Sequence, residues 1–244
     1  MTENDHAVVL AAGMGRRLQP RTDDTPKTLL SVGEKPILGH IFAALRANDY
    51  RRVTMVVGHE AARIRDYCAD VSAFEIDYIE NERYAETNNL YSLWLARETL
   101  TDGFTLVNAD TLFSPETVGR LVAATGPTLV IDQEKSLDDE EMTVAIDGGT
   151  VVDIGKELAA ADGEYIGLCK FDAESARRLV ETLGEFIENE ALGEWYERAF
   201  AELFGDVSVG CVAPVGPWVE IDDAEDLRSG RELYRTVEAD GIDG

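Results

Sequence analysis

An α/β fold with a mainly parallel mixed sheet is predicted for this 244-residue chain, and three observations predict it. Short continuous apolar runs recur, as strands buried on both faces do. Segments with helical spacing separate them. Past residue 142 the rhythm shifts to a hairpin around a Gly-Gly turn, which adds an antiparallel part. Repeated strand–helix units of this size put helices on both faces of one sheet.

The first buried strand is Ala7-Val8-Val9-Leu10, ending in Ala11-Ala12-Gly13. A loop rich in Arg, Pro and Thr runs to about Pro36; Ile37, Ile41 and Leu45 then mark a helix that ends near Asn48. Val53 to Gly58 is the second strand and Glu60 to Cys68 the second helix. Phe74 to Ile79 alternates, as a half-exposed strand does. Asn88 caps a helix from Asn89 to about Thr99. Phe104 to Asn108 is the fourth strand and runs into Ala109-Asp110. Ser114-Pro115 opens a helix, because proline at the first helical position loses no needed donor.

Thr128 to Ile131 is the fifth strand. Thr143 to Ile146 and Val151 to Ile154 flank Asp147-Gly148-Gly149 as a hairpin, and Tyr165 to Phe171 adds a strand. Helices follow from Ala173 to about Ile187 and from Gly193 to about Phe204. A strand from Val207 to Val212, the stretch Gly216 to Ile221 and a helix from Asp223 close the chain. The whole reads as one Rossmann-like domain over residues 1–244, with a small β-hairpin and helical lid region in its second part.

Composition narrows the function. Forty-eight acidic against 22 basic residues give a net charge of −26. A surface this negative repels phosphate backbones and argues against nucleic-acid binding. Hydrophobic residues at 45% exclude wholesale disorder. No apolar run approaches the roughly 20 residues of a membrane span, and the N-terminus, Met1 to His6, lacks the basic region of a secretory signal. A cytoplasmic location without membrane insertion is expected. Cys68, Cys169 and Cys211 are scattered, as are His6, His40 and His59, so neither a disulfide framework nor a zinc spacing is present. Only five of the 22 basic residues are lysines (Lys27, Lys35, Lys135, Lys156, Lys170). Acidic pairs recur throughout, at Asp23-Asp24, Asp138-Asp139-Glu140-Glu141 and Asp222-Asp223. Such a surface suits a salt-rich, halophilic cytoplasm, where molar salt shortens the Debye length to about 3 Å.

The stretch richest in chemistry is Leu10-Ala11-Ala12-Gly13-Met14-Gly15-Arg16-Arg17-Leu18-Gln19-Pro20, continuing to Thr25-Pro26-Lys27. A buried strand feeding a Gly-x-Gly turn lets backbone N–H groups approach phosphate oxygens without interference from Cβ. Arg16 can fork onto those oxygens and Lys27 can add a point charge. Leu18 stands where a dinucleotide fingerprint has its third glycine, and no Gly-Lys-Ser/Thr follows.

Ala11-Ala12-Gly13-Met14-Gly15-Arg16 with Pro26-Lys27 resembles the signature of the sugar-nucleotidyltransferase superfamily. Glu86-Thr87-Asn88-Asn89-Leu90-Tyr91-Ser92-Leu93-Trp94-Leu95-Ala96 resembles its phosphocholine cytidylyltransferase branch, and Val219-Glu220-Ile221-Asp222-Asp223-Ala224-Glu225-Asp226-Leu227 that branch's metal-binding strand and following helix. The resemblance implies an enzyme of the EC 2.7.7 type that transfers CMP from CTP, or another NTP, to a phosphorylated small molecule such as phosphocholine. It implies direct in-line attack with no protein nucleophile, catalysis resting on positioning and charge neutralisation. Residues 1–135 become the nucleotide-binding half and residues 136–244 the acceptor- and metal-binding half; a homodimer is compatible with this.

The resemblance assigns roles. Arg16, Lys27 and Lys156 are the catalytic cations, with Lys156 holding the acceptor phosphate. Leu10, Ala11, Ala12, Gly13, Met14, Gly15, Arg16, Asn81, Asn88 and Ala109 surround the nucleotide, although Asn88 as a plain helix cap competes. Asp110, Glu220 and Asp222 bind Mg²⁺, a hard ion that takes carboxylate and phosphate oxygens; Asp223 is left to cap the last helix. Tyr165, Trp195 and Tyr196, with Glu194 or Glu197, can cage a trimethylammonium group. Thr143 stands where many relatives carry a lysine, which keeps another phosphorylated alcohol or a phosphonate open as acceptor. A sugar-1-phosphate nucleotidyltransferase using UTP or dTTP, and a non-catalytic nucleotide-binding regulatory protein, are the alternatives.

Overall fold

A computed structural model describes residues 5–137 and 141–240. Met1 to Asn4 and the Asp138 to Glu140 part of the acidic run lie outside the described residues. In chain order the first half contains β1 (His6–Ala11), β2 (Ser31–Val32), β3 (Lys35–Pro36), α1 (Ile37–Ala47), β4 (Arg52–Val57), α2 (Ala61–Ala69) and β5 (Glu75–Glu80). Next come α3 (Asn89–Leu95), α4 (Arg97–Leu100), β6 (Phe104–Asn108), β7 (Thr111–Leu112), α5 (Pro115–Ala123) and β8 (Thr128–Asp132). The second half adds β9 (Thr143–Asp147), β10 (Thr150–Gly155), β11 (Gly163–Phe171), α6 (Ala173–Glu188), α7 (Tyr196–Leu203), β12 (Val209–Val212), β13 (Val219–Glu220) and α8 (Ala224–Asp240).

The main sheet runs β5-β4-β1-β6-β11-β8-β12-β10-β9. Its first four strands are mutually parallel, β12 is parallel to β8, and the remaining pairings are antiparallel. The β9–β10 hairpin folds back so that β9 also pairs with the start of β11, at Gly163 and Glu164. This closes the second half of the sheet on itself and leaves a hollow beside the C-terminal ends of the parallel strands.

β1 shows why its apolar run is unbroken. Ala7, Val9 and Ala11 pack into a core with α1, α2 and α5, whereas Val8 packs into a second core with α3, α6 and α7. Each fully buried Val, Leu or Phe contributes about 1.5–3 kcal/mol, so the two cores hold helices on both faces. β5, at the sheet edge, alternates between exposed and half-buried residues, as its sequence pattern requires.

Boundaries differ from the sequence reading where local chemistry intervenes. The helix expected over residues 89–99 divides at Ala96 into α3 and α4. Trp195 is extended, so α7 starts at Tyr196 instead of near Gly193. The stretch 216–221 contributes only β13, which pairs with β7 outside the main sheet.

Gly167 lies in β11 at φ +77°, where the register against β8 shifts. A Cβ there would come within 2.6 Å of Asn108 Nδ2. Gly167→Ala therefore combines backbone strain with a clash, and should destabilise the fold by about 2 kcal/mol or more, a loss readable as a lowered thermal midpoint.

Candidate active site

The C-terminal ends of β1 and β6 open into a cleft of about 840 Å³, the usual ligand edge of a parallel sheet. The β13–β7 ladder builds its acidic wall. Glu220 pairs with Thr111, and the Ile221 amide donates to the Asp110 carbonyl at 3.0 Å. One carboxylate oxygen from each of Asp110, Glu220 and Asp222 then lies within 4.8 Å of the others. Asp226 accepts the amides of Asp222 and Asp223 at 3.0 and 2.9 Å, and Asp223 accepts those of Glu225 and Asp226 at 2.7 and 3.0 Å. This pair caps α8 and leaves the Asp222 side chain for the cleft.

Lys27 Nζ donates to Asp110 Oδ2 at 2.7 Å and to Asp222 Oδ1 at 2.8 Å. Arg17 reaches Asp222 Oδ2 at 2.5 Å. Burial works against the charge on Lys27, but Asp110 and Asp222 more than offset it and hold the ammonium above the ordinary lysine range. Burial would raise the Asp222 carboxyl as well; Lys27 and Arg17 keep it below the usual range. Glu220 is pushed up to about 8, first by burial and then by the charges of Asp110 and Asp222. Asp110 Oδ1 is buried without a hydrogen-bond partner. Three convergent hard oxygen ligands, one of them left bare, fit a divalent cation such as Mg²⁺.

Not every expected nucleotide residue reaches the cleft. Leu10, Ala12, Gly13, Asn81 and Asn88 line it. Ala11 and Ala109 are buried in the core behind it, where the Ala109 amide donates to the Leu10 carbonyl at 3.2 Å. Met14, Gly15 and Arg16 lie outside the lining. Arg16 Nη2 instead sits 3.5 Å from the Ala85 carbonyl and from Met14 Sδ. It is Arg17, unassigned from sequence, that reaches the acidic wall. Gly15 has φ +59°, and a Cβ there would stand 3.1 Å from the Lys27 Cβ, so glycine lets the lysine stem lie across the turn.

Asn81 spends its amide internally: it donates to Thr87 Oγ1 and Ser92 Oγ at 3.1 and 3.0 Å and accepts the Arg83 amide at 2.9 Å. It shapes the 83–92 loop. Asn88 Oδ1 accepts the Asn89 amide at 2.8 Å, so the cap competes as expected, while Nδ2 donates to the Gly193 carbonyl at 3.3 Å.

Lys156, whose charge also reaches Asp222, stands with Nζ 4.9 Å from the centroid of the Trp195 ring, and Trp195 is 43% exposed. Tyr165 lines the wall beside it. Tyr196 does not serve as a cage wall: its ring is fully buried, 5.0 Å from that of Phe200, and its hydroxyl donates to Asn108 Oδ1 at 3.1 Å and lies 3.3 Å from Tyr165 Oη. Between the two candidate acids the geometry favours Glu197. Glu194 lies outside the lining, 4.0 Å from Arg198. Glu197 lines the cleft at 4% exposure, with Oε2 unpartnered. Burial pushes its carboxyl up to about 7, against the pull of Tyr196, Asn89 and Lys156.

A third cluster went unread in the sequence. Lys135 pairs with Glu141 and, at 2.8 Å, with Glu164, and stands 5.3 Å from the Trp218 ring centroid; Trp218 Nε1 donates to Asp132 Oδ2 at 2.7 Å. The scarcity of lysine was the signal that pointed to it. Thr143 Oγ1 donates to the Gly155 carbonyl at 2.6 Å, bracing the residue before Lys156.

Residues 7–193 match the MobA-like NTP transferase domain family, and the chain belongs to that family. It is 32% identical over 244 residues to the bifunctional IPC transferase and DIPP synthase of Rubrobacter xylanophilus, covering 98% of this chain and 54% of the relative. The chain thus spans about half the length of that protein. It is 25% identical over 232 residues to the choline-phosphate cytidylyltransferase of Streptococcus pneumoniae, covering 94% of this chain and 98% of the relative. The solved inositol-1-phosphate CTP transferase of T. maritima shares the fold at a TM-score of 0.79 and 20% identity, with 95% of each chain covered. Among the described residues no helix is long and apolar enough to cross a membrane.

Proposed function

We propose that the chain transfers CMP from CTP to a small phosphorylated alcohol, or a related phosphonate, with a cationic head group such as that of phosphocholine. The products are pyrophosphate and a CDP-alcohol, or a CMP–phosphonate anhydride when the acceptor is a phosphonate. One observation carries this reading: a single cleft holds a carboxylate triad with its lysine together with Lys156, Trp195 and the buried Glu197. The division into a nucleotide half, residues 1–135, and an acceptor half follows, except that Asp110 from the first half joins Glu220 and Asp222 from the second.

An acceptor phosphate oxygen attacks the α-phosphorus and forms a new P–O bond. The bond from that phosphorus to the oxygen bridging it to the β-phosphate breaks, and pyrophosphate departs with the electron pair. Lys156 orients the nucleophile, while Lys27 and Arg17 oppose the charge of the triphosphate. Asp110, Glu220 and Asp222 would hold a Mg²⁺ ion, which when bound supplies further neutralisation of the triphosphate. Trp195 offers aromatic surface to the head group, with Glu197 as its counter-charge; Tyr165 borders the cleft but is only 2% exposed.

Pyrophosphate release tests the reading, crossing CTP and UTP with phosphocholine, 2-aminoethylphosphonate, inositol phosphate and glucose 1-phosphate. Because the chain carries a net charge of −26, low and molar KCl are both needed. Turnover confined to CTP and cationic acceptors supports the proposal; turnover confined to UTP with glucose 1-phosphate replaces it by the sugar-1-phosphate reading.

Glu197 makes the acceptor dependence sensitive to pH. Lys156 faces it from beyond β10, Asn89 from α3, Cys169 from β11 and Tyr196 from its own helix. With its carboxyl near 7, the anion that a cationic head group needs is populated as pH rises, so KM for phosphocholine should fall between pH 6 and 8. Glu197→Gln should flatten the part of that fall which titration of the acceptor phosphate does not explain. Stability runs the other way. A carboxyl raised on folding favours the folded state below its unfolded value, and that advantage is lost as pH climbs through about 7. Glu197→Gln should therefore be the more stable protein at pH 8, with the gap closing toward pH 5 in thermal melts.

A further inference from the structure

We infer that Lys27 is the resident cation of the carboxylate triad: its ammonium holds Asp110 and Asp222 in the free protein, and the triad takes up a divalent ion only when a triphosphate draws that ammonium away. The inference rests on reading the triad as the metal site of the proposed reaction.

The contacts place the Lys27 ammonium on two of the three carboxylates. Lys27 Nζ is within 2.8 Å of both Asp110 Oδ2 and Asp222 Oδ1, and Arg17 takes the second oxygen of Asp222. Both oxygens of Asp222 therefore already carry a cation contact, and Asp110 Oδ1 is buried without a partner. A divalent ion entering beside an ammonium at this distance would meet strong repulsion in a partly desolvated wall. An exchange of the two cations removes that repulsion.

The chain is built for that exchange. Lys27 opens a short 3-10 turn, and the next side chain, Thr28, is buried, so the backbone is anchored. The flexible stem crosses Gly15, whose missing Cβ leaves it a path over the phosphate-binding turn. An ammonium on a four-carbon stem can swing from carboxylates to phosphate oxygens by bond rotation alone. Binding of metal and nucleotide then becomes cooperative, because each removes an obstacle to the other.

Mn²⁺ binding without nucleotide tests this, measured by the loss of the free-ion EPR signal. Lys27→Met and Lys27→Gln, checked for folding by their thermal midpoints, should bind Mn²⁺ at least about tenfold more tightly than wild type. Adding Asp222→Asn to either variant should abolish the gain. Wild type and both lysine variants binding Mn²⁺ alike would overturn the inference. A gain that survives Asp222→Asn would instead place the ion elsewhere and overturn the metal reading on which the inference rests.

Discussion

Asp222→Asn should lower turnover by about a thousandfold while leaving the fold intact. Asparagine is isosteric and can still accept from Lys27, but it supplies no charge to a divalent ion and cannot balance the two cations that now meet at it, Lys27 and Arg17. Loss of one preorganised electrostatic partner at a phosphoryl or acyl centre typically costs 10²–10³ in rate, and loss of a metal ligand belongs at the upper end. The helix that follows is secured by Asp223 and Asp226, not by Asp222, so near-native thermal melting is expected. Steady-state pyrophosphate release against Mg²⁺ concentration checks it. A rate within tenfold of wild type at saturating Mg²⁺ would remove Asp222 from the metal site.

Lys156→Ala should act on the other substrate. Its ammonium lies 4.9 Å from the centroid of the Trp195 ring, and its charge acts on Glu197. Under the proposed function, removing it takes away the charge that would hold the acceptor phosphate and leaves Glu197 with less support for ionisation. The expected result is a loss of about a hundredfold or more in kcat/KM for the acceptor, with KM for CTP nearly unchanged. Initial rates with each substrate varied in turn separate the two effects. A change confined to CTP would move Lys156 to the nucleotide wall.

Much of the fold was legible because its strands are local signals. Ala7 to Leu10, Val53 to Val57 and Phe104 to Val107 are apolar on both faces, and only a strand between two helical layers uses such a run. The alternation from Phe74 likewise reads as a strand with one exposed face. What sequence could not show is which strands meet. The pairing of β13 with β7 spans more than a hundred residues, and the return of β9 onto β11 closes the second half of the main sheet, which no local pattern announces.

The candidate site divides along the same line. Asp110, Glu220, Asp222, Lys27 and Lys156 stand at ends of elements whose positions could be read, and the structure brings them to one cleft. Arg16 and Tyr196 show where that reasoning ends. Adjacent arginines cannot be told apart until the turn at Gly15 sets their directions, and here Arg17 faces the acids. A tyrosine at the first position of α7 faces core or cleft according to a one-residue shift in the helix start. Trp195 sits just outside that start and Tyr196 just inside it, so their rings take opposite fates. The Lys135–Glu164–Trp218 cluster draws on β11 and the loops after β8 and before β13, and no linear motif announces it.

The most direct test of the central claim is ³¹P NMR of CTP, Mg²⁺ and phosphocholine incubated with the protein, followed by the same mixture with UTP. The CTP signals should give way to those of pyrophosphate and of a new diphosphate diester, and the UTP mixture should stay essentially unchanged. CTP signals that persist with phosphocholine while the UTP mixture is converted would contradict the CTP and phosphocholine assignment.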